Sequence, residues 1–229
     1  MKSVIWIFVF ITVALLGFGL YQALVVAPTE QTMGDVQRIF YYHVPSAWTA
    51  FLLFFVNFIA SIVYLWKRSA GSDAIAVASA EVGVVFCTVV LVTGPIWARP
   101  VWGIWWTWDA RLTTTLVLWL IYVSYLVLRR FAAGSQTQVL SAALAIFGFV
   151  DVPIVFMAIR WFRTQHPSPV MGGGENSGLD PTMLHAFFWN LLAFTCVGIV
   201  LVAARYRLQN LEAQVEAAHA QLALQGGGR

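Results

Sequence analysis

The sequence predicts an all-α, polytopic membrane bundle of six transmembrane helices. Three observations carry that expectation. The first is composition: of 229 residues, 60% are hydrophobic and only 10% charged, with a mean hydropathy of +0.79. Soluble domains run nearer 45–50% apolar and about 25% charged. The second is arrangement. Six apolar runs lie at 4–26, 46–66, 74–96, 112–128, 139–159 and 183–204, each close to the roughly 20 residues that cross a bilayer. The third is economy: the six runs use most of the chain and leave no room for a separate soluble domain. A cytosolic enzyme, a disordered tail and a disulfide scaffold are excluded. The expected organisation is a six-span membrane domain over 1–204 and a short cytoplasmic tail helix over 205–229.

The elements follow in order. The first run exceeds the roughly 7–15 apolar residues of a cleavable signal peptide and reads as a span. The second follows Arg38-Ile-Phe-Tyr-Tyr-His43-Val-Pro45, where Pro45 is placed to open the helix and leaves His43 just outside. The third carries Cys87, with Glu81 near its inner end. The fifth holds Asp151 two residues before the helix-breaking Pro153. Ionisable groups inside spans are usually functional; the competing reading is structural, with Asp151 bonding backbone groups freed by Pro153 or facing another helix. The sixth holds His185 and Cys196. Beyond it, Leu208, Leu211, Val215, Ala218 and Leu222 repeat at 3–4 spacing and predict a short amphipathic helix. A partner-docking helix and a solvated, frayed extension both fit that pattern. The two cysteines sit in apolar runs, without the spacing of a haem-attachment or paired-thiol motif, and read as core residues.

The net charge of +3 is too small to argue for nucleic acid. In a membrane chain basic residues report orientation. With the N-terminus inside, Lys2, Lys67, Arg68, Arg129, Arg130, Arg205, Arg207 and Arg229 fall on the inner side, against Arg38, Arg99, Arg111, Arg160 and Arg163 outside. The pairs Lys67–Arg68 and Arg129–Arg130 lie in short loops, where the positive-inside rule is strongest. Both termini are expected in the cytoplasm. The outer segments 27–45, 97–111 and 160–181 then hold most of the polar, aromatic and histidine content, and that is where function should lie. The glycine-rich stretch 171–178 lacks the strand-to-helix setting of a phosphate loop and reads as a linker or a lid.

The outer segment 97–113 holds five of the eleven tryptophans. Pro100 suits the first turn of a helix. At 100° per residue Trp102, Trp105, Trp106 and Asp109 would share one face, with Trp108 on a flank. Such a helix makes an aromatic shelf beside a carboxylate and Arg111. A generic aromatic belt would spread its rings over all helix ends, whereas these crowd into one loop; a large flat apolar ligand suits them. Neutral imidazoles are common haem ligands, and His43, His166 and His185 all fall on the same outer side. Spacing alone does not choose among the three. His219 lies on the cytoplasmic tail.

The stretch Trp-Gly-Ile-Trp-Trp-Thr-Trp-Asp-Ala-Arg-Leu-Thr, residues 102–113, resembles the tryptophan-rich WWD domain of the haem-handling proteins of cytochrome c maturation. Length and span number fit the shorter, six-span branch of that family, and the resemblance covers nearly the whole chain. Two further motifs match: His43-Val44-Pro45, and Trp161 with Thr164 and His166. The resemblance implies that His43 and His166 are the axial ligands of a haem b, and that His185 is not. It implies haem contact for Trp97, Trp102, Trp105, Trp106 and Trp108. Arg163 and Pro167 depart locally from the pattern around the second histidine. The propionates need cations, and arginine suits them; Arg38 and Arg111 come first because they sit inside the matched motifs, with Asp109 orienting Arg111. The implied activity is haem handling without catalysis: delivery to a periplasmic haem chaperone (CcmE), in company with ABC transporter subunits (CcmA and CcmB) and a small one-span subunit (CcmD), in the bacterial inner membrane with the functional face periplasmic. Three alternatives stand beside it. A membrane redox enzyme would place histidine pairs within the spans, and none exist. A haem lyase acting on apocytochrome belongs to the larger relatives. A haem channel would have only Asp151 and Glu81 for polarity across the membrane.

Overall fold

The computed structural model describes residues 2–132, 134, 136–167 and 178–226. It is a six-helix membrane bundle, with six helical segments long and apolar enough to cross a bilayer. Helix α1 (Lys2–Tyr21) ends in a π-turn at Gln22–Val26, and a 3-10 turn at Asp35–Ile39 leads into α2 (Phe40–Lys67). Then come α3 (Ala70–Trp102), α4 (Ala110–Phe131), α5 (Thr137–Phe149), α6 (Asp151–Trp161) and α7 (Pro181–Gly226). Helices α5 and α6 together make the fifth span. The stretch 171–177 lies outside the described residues.

Three local features differ from the sequence expectation, two of them at prolines, while the break near Pro153 agrees with it. Helix α2 starts at Phe40, so Pro45 lies inside it and His43 belongs to its first turn. Helix α3 does not stop at 96; it runs through Pro95 and Pro100 to Trp102. Its stop is Gly103, which takes a left-handed φ of 77° and donates its N–H to Arg99 O at 3.0 Å, the αL C-terminal cap for which glycine is suited. The fifth span breaks at Val150, three residues before Pro153, whose ring crowds the carbonyl four residues back and whose nitrogen gives it no hydrogen bond. The tail is no separate helix: α7 is continuous over 46 residues, about 69 Å at 1.5 Å per residue. Its Leu208, Leu211, Val215 and Leu222 are exposed.

Packing relies on close approach. Gly83 of α3 faces Phe54 of α2, and a Cβ there would sit 2.6 Å from the ring. The same ring stacks on Tyr122 of α4 at 3.7 Å, so one aromatic pair joins three helices at the centre of the main core cluster. Asn190 of α7 donates to Gly19 O of α1 at 2.9 Å; small residues at helix contacts serve this purpose in membranes. Two ion pairs tie α3 to its neighbours, one to α4 and one to α7. Arg129 grips Asp73 bidentately at 3.0 and 2.6 Å, and Arg205 does the same to Glu81. Glu81 is thereby accounted for structurally. Asp151, at the break, is buried, and its Oδ2 has no partner among the described residues.

Candidate functional site

Helices α2, α3, α4 and α6 and the segment after α6 surround a cavity enclosing about 890 Å³ of empty space, its open mouth included. Its deep walls are apolar: Ala47, Ala50 and Phe51 from α2, Cys87, Val90 and Leu91 from α3, and Val155 from α6. Along α3 the lining runs from Cys87 to Trp102, about 22 Å at helical rise. The polar groups gather at the end of the bundle where α2 and α4 begin and α3 and α6 stop. They are His43, His166, Arg111 and the indoles of Trp97, Trp102 and Trp106. Chain segments far apart in sequence thus supply one concave surface.

His43 is held from α3. Its Nδ1 lies 2.8 Å from Thr93 Oγ1, and the edge of Trp97 packs against its ring, centroids 5.9 Å apart at 76°. Trp97 in turn meets Phe40 edge-on. His166 is held locally. Its backbone N–H donates to Thr164 Oγ1 at 3.1 Å, and its Nδ1 lies 3.0 Å from Pro167 O. A carbonyl only accepts, so Nδ1 carries the proton and Nε2 keeps its lone pair. Burial, and after it the Arg111 cation, push the His166 pKa below its ordinary value, against weaker opposition from the Pro167 carbonyl and Asp109. The imidazole is therefore neutral at pH 7, the form that ligates a metal.

Arg111 reaches across from α4 and donates Nη1 to Val155 O at 2.5 Å. That bond fixes α4 to α6 and leaves the remaining guanidinium donors for the cavity. Trp97 Nε1 and Trp106 Nε1 are buried donors with no partner among the described residues. Buried polar atoms are nearly always satisfied, so these two orphans on the cavity wall mark places where an acceptor belongs. The donor set, two imidazoles and an apolar slot together match a flat apolar molecule with a Lewis-acidic centre and peripheral carboxylates. Haem answers that description.

Other sequence-selected residues lie elsewhere. The segment 103–109 is not helical, so no single helical face carries Trp102, Trp105, Trp106 and Asp109. Trp102 ends α3 and lines the cavity; Trp105 and Trp108 are 58% and 75% exposed and do not line it. Trp108 meets Trp106 edge-on at 5.7 Å and so supports a lining residue. Asp109 is the N-cap of α4, accepting from Leu112 N at 3.0 Å and from Thr107 Oγ1 at 3.2 Å. Its oxygens serve the cap, and it makes no hydrogen bond to Arg111 among the described residues. Arg38 is taken up by Ala23 O at 2.6 Å, Ala27 O at 3.2 Å and Asp35. It holds the end of the π-turn and does not line the cavity. Arg99 bonds Gly103 O, and Arg160 lies over the Phe156 ring. His185 sits near the start of α7 beside Gln22, in a separate shallow groove. Sequence reasoning missed Thr93, because a threonine in an apolar helix ordinarily bonds only its own turn. It also treated Cys87 as packing alone, whereas the thiol is buried and on the cavity wall.

Comparison with known proteins agrees over nearly the whole length. A family model described as Heme exporter protein C (CcmC) matches residues 1–221. The chain is 36% identical over 206 residues to the Heme exporter protein C of Bradyrhizobium diazoefficiens, covering 89% of this chain and 78% of that protein. It is 32% identical over 209 residues to that of Haemophilus influenzae, covering 90% and 84%. It is 33% identical over 198 residues to that of Escherichia coli K12, covering 83% and 75%.

Proposed function

The chain belongs to the Heme exporter protein C family, and from that premise we propose that it handles haem in cytochrome c maturation, holding haem b at the outer cavity between His43 and His166 and passing it to a periplasmic haem chaperone. The single observation that carries this reading is convergence: two histidines 123 positions apart in sequence line one cavity together with Trp97, Trp102, Trp106 and Arg111. His43 and His166 would hold the iron of such a haem, which would supply there a Lewis-acidic centre that neutral imidazoles bind.

The chain's own residues then have definite tasks. His43 and His166 present neutral nitrogens. The apolar walls from α2, α3 and α6 exclude water from the porphyrin edge. Arg111 and the free indole N–H groups of Trp97 and Trp106 take the propionates, Arg111 through charge-assisted bonds. A cavity open at its outer mouth suits transfer: a tight but accessible site binds the cargo and still lets an acceptor reach it. In this reading the protein is a delivery component and not a catalyst. The cavity faces the periplasm, the protein sits in the bacterial inner membrane, and any ATP-driven step belongs to ABC transporter subunits (CcmA, CcmB) working with a one-span subunit (CcmD) and the chaperone (CcmE).

The test is spectroscopic. The full-length protein is purified from haem-replete cells, and oxidised and reduced spectra are recorded for it and for His43→Ala and His166→Ala. A low-spin, six-coordinate spectrum lost in each variant is expected, as is transfer of the haem to added chaperone. Two variants with an unchanged haem spectrum would remove both ligands from the proposal. A terminal tag found outside the membrane would reverse the proposed face.

A further inference from the structure

We propose that Thr93 is a positioning residue for the outer site: it fixes the tautomer and ring plane of His43 so that Nε2 faces the cavity. The inference rests on reading His43 as a haem ligand and adds the residue that prepares it.

The geometry assigns the protons. Thr93 Oγ1 lies 2.7 Å from Val89 O and 2.8 Å from His43 Nδ1. A hydroxyl has one proton and two lone pairs, and a carbonyl can only accept. Two oxygens at 2.7 Å need that proton between them. The hydroxyl therefore donates to Val89 O and accepts from His43, so Nδ1 carries a hydrogen and Nε2 is left with its lone pair. The β-branched side chain holds its rotamer on the helix, and α3 supplies two further contacts one turn apart. Gly94 lies against His43 Cε1, where a Cβ would stand 3.5 Å away, and Trp97 packs its edge on the ring. A single turn of α3 thus forms the seat of an imidazole carried by α2. A ring N–H bonded to an acceptor also makes the opposite nitrogen more basic, and loss of such an outer partner typically lowers metal affinity about 10–100-fold.

The test compares wild type, Thr93→Val, which keeps the shape and removes the hydroxyl, Thr93→Ser, which restores it, and His43→Ala, all full length in detergent micelles. Nitrogen-15 NMR of the haem-free, histidine-labelled protein reads the tautomer. Titration with haem b and a redox titration read affinity and midpoint potential. The expected result is an Nδ1–H tautomer for His43 in wild type and Thr93→Ser. Thr93→Val should show mixed tautomers, roughly tenfold weaker haem binding and a raised midpoint potential. An Nε2–H tautomer in wild type overturns the proposal without any variant. So does a Thr93→Val protein that matches wild type in tautomer, affinity and potential while His43→Ala loses haem; in that case the ligand survives and Thr93 does not. If His43→Ala keeps an unchanged haem spectrum, the ligand reading falls and takes the positioning role with it. If Thr93→Val does not accumulate, the tautomers of wild type and Thr93→Ser still decide.

Discussion

Asp109 discriminates between a carboxylate that serves helix geometry and one that serves the ligand by charge. Its Oδ1 accepts the Leu112 N–H at 3.0 Å, and its Oδ2 accepts from Thr107 Oγ1 at 3.2 Å. The first bond satisfies one of the four orphan donors at the start of α4, two residues from Arg111. The second ties down the segment that carries Trp106. Replacing an N-cap aspartate by alanine costs about 1 kcal/mol, within a range of 0.5–2, whereas asparagine caps about as well. If the first turn of α4 and segment 103–109 must be ordered for Arg111 and Trp106 to line the cavity, the whole loss appears in binding. A loss of about 1 kcal/mol is roughly a fivefold weaker dissociation constant. Titrating haem b into the haem-free protein, followed by absorbance, should therefore give Asp109→Asn near wild type and Asp109→Ala about fivefold weaker. Should Asp109→Asn weaken binding as much as Asp109→Ala, capping is not the role, and the negative charge acts on Arg111 or the ligand directly.

The indole donors separate by position. Trp106→Phe removes an unpartnered N–H from the cavity wall and should weaken haem retention about 10–150-fold, the scale of the roughly 1.5–3 kcal/mol of one hydrogen bond to a charged acceptor; Trp105→Phe, off the cavity, should stay near wild type in the same titration. Gly83→Ala would press a methyl into the Phe54 ring that Tyr122 blocks from behind. About 1–3 kcal/mol of overpacking should lower the thermal midpoint in detergent, and Phe54→Leu in the same chain should restore part of it; an unchanged midpoint for Gly83→Ala would contradict the packing. The Glu81–Arg205 pair has side chains 28% and 32% exposed, between surface pairs worth about 0–1 kcal/mol and buried ones whose breakage costs about 3–5. A double-mutant cycle with Glu81→Gln and Arg205→Gln should give a coupling of about 1–2 kcal/mol, and a coupling near zero would leave the pair without energetic weight.

The spans were legible because membrane helices announce themselves by composition over about 20 residues, and no local choice overrides that. Their ends were not. Pro45 and Pro100 read as helix starts, yet α2 and α3 contain them. Neighbouring helices and side chains tolerate the lost hydrogen bonds in a membrane bundle. Gly103 was the stop signal in plain view, and periodicity carried across it put four residues on a face that does not exist. His43 and His166 come together through packing of segments that no spacing rule relates, so resemblance named them where residue counting left three candidates open. Arg38 was read by its charge, but the π-turn at 22–26 exposes carbonyls that claim it. Sequence gives little sign of a π-turn. Thr93 was invisible for a similar reason: its partner lies fifty positions away.

The two histidines are anchored unequally, and the inequality follows from where each stands. His43 sits on a helix and is gripped by another helix, through a hydrogen bond and an aromatic edge. Moving it requires α2 and α3 to part, and these are joined at Gly83 by a contact too tight for a methyl group. His166 stands past the end of α6 in non-helical chain, and among the described residues its hydrogen bonds run to Thr164 and Pro167. A segment held by local hydrogen bonds opens at lower free energy than a helix in a packed core. In the proposed role this asymmetry suits a carrier. Rigid attachment on the His43 side preserves the geometry of the slot and keeps Nε2 aimed at it. A ligand on the weaker segment can leave first, exposing one face of the cargo to an acceptor without disturbing the bundle. Stiffening the His166 side to match would favour retention over delivery, so the looser seat is consistent with a site selected to bind and then release.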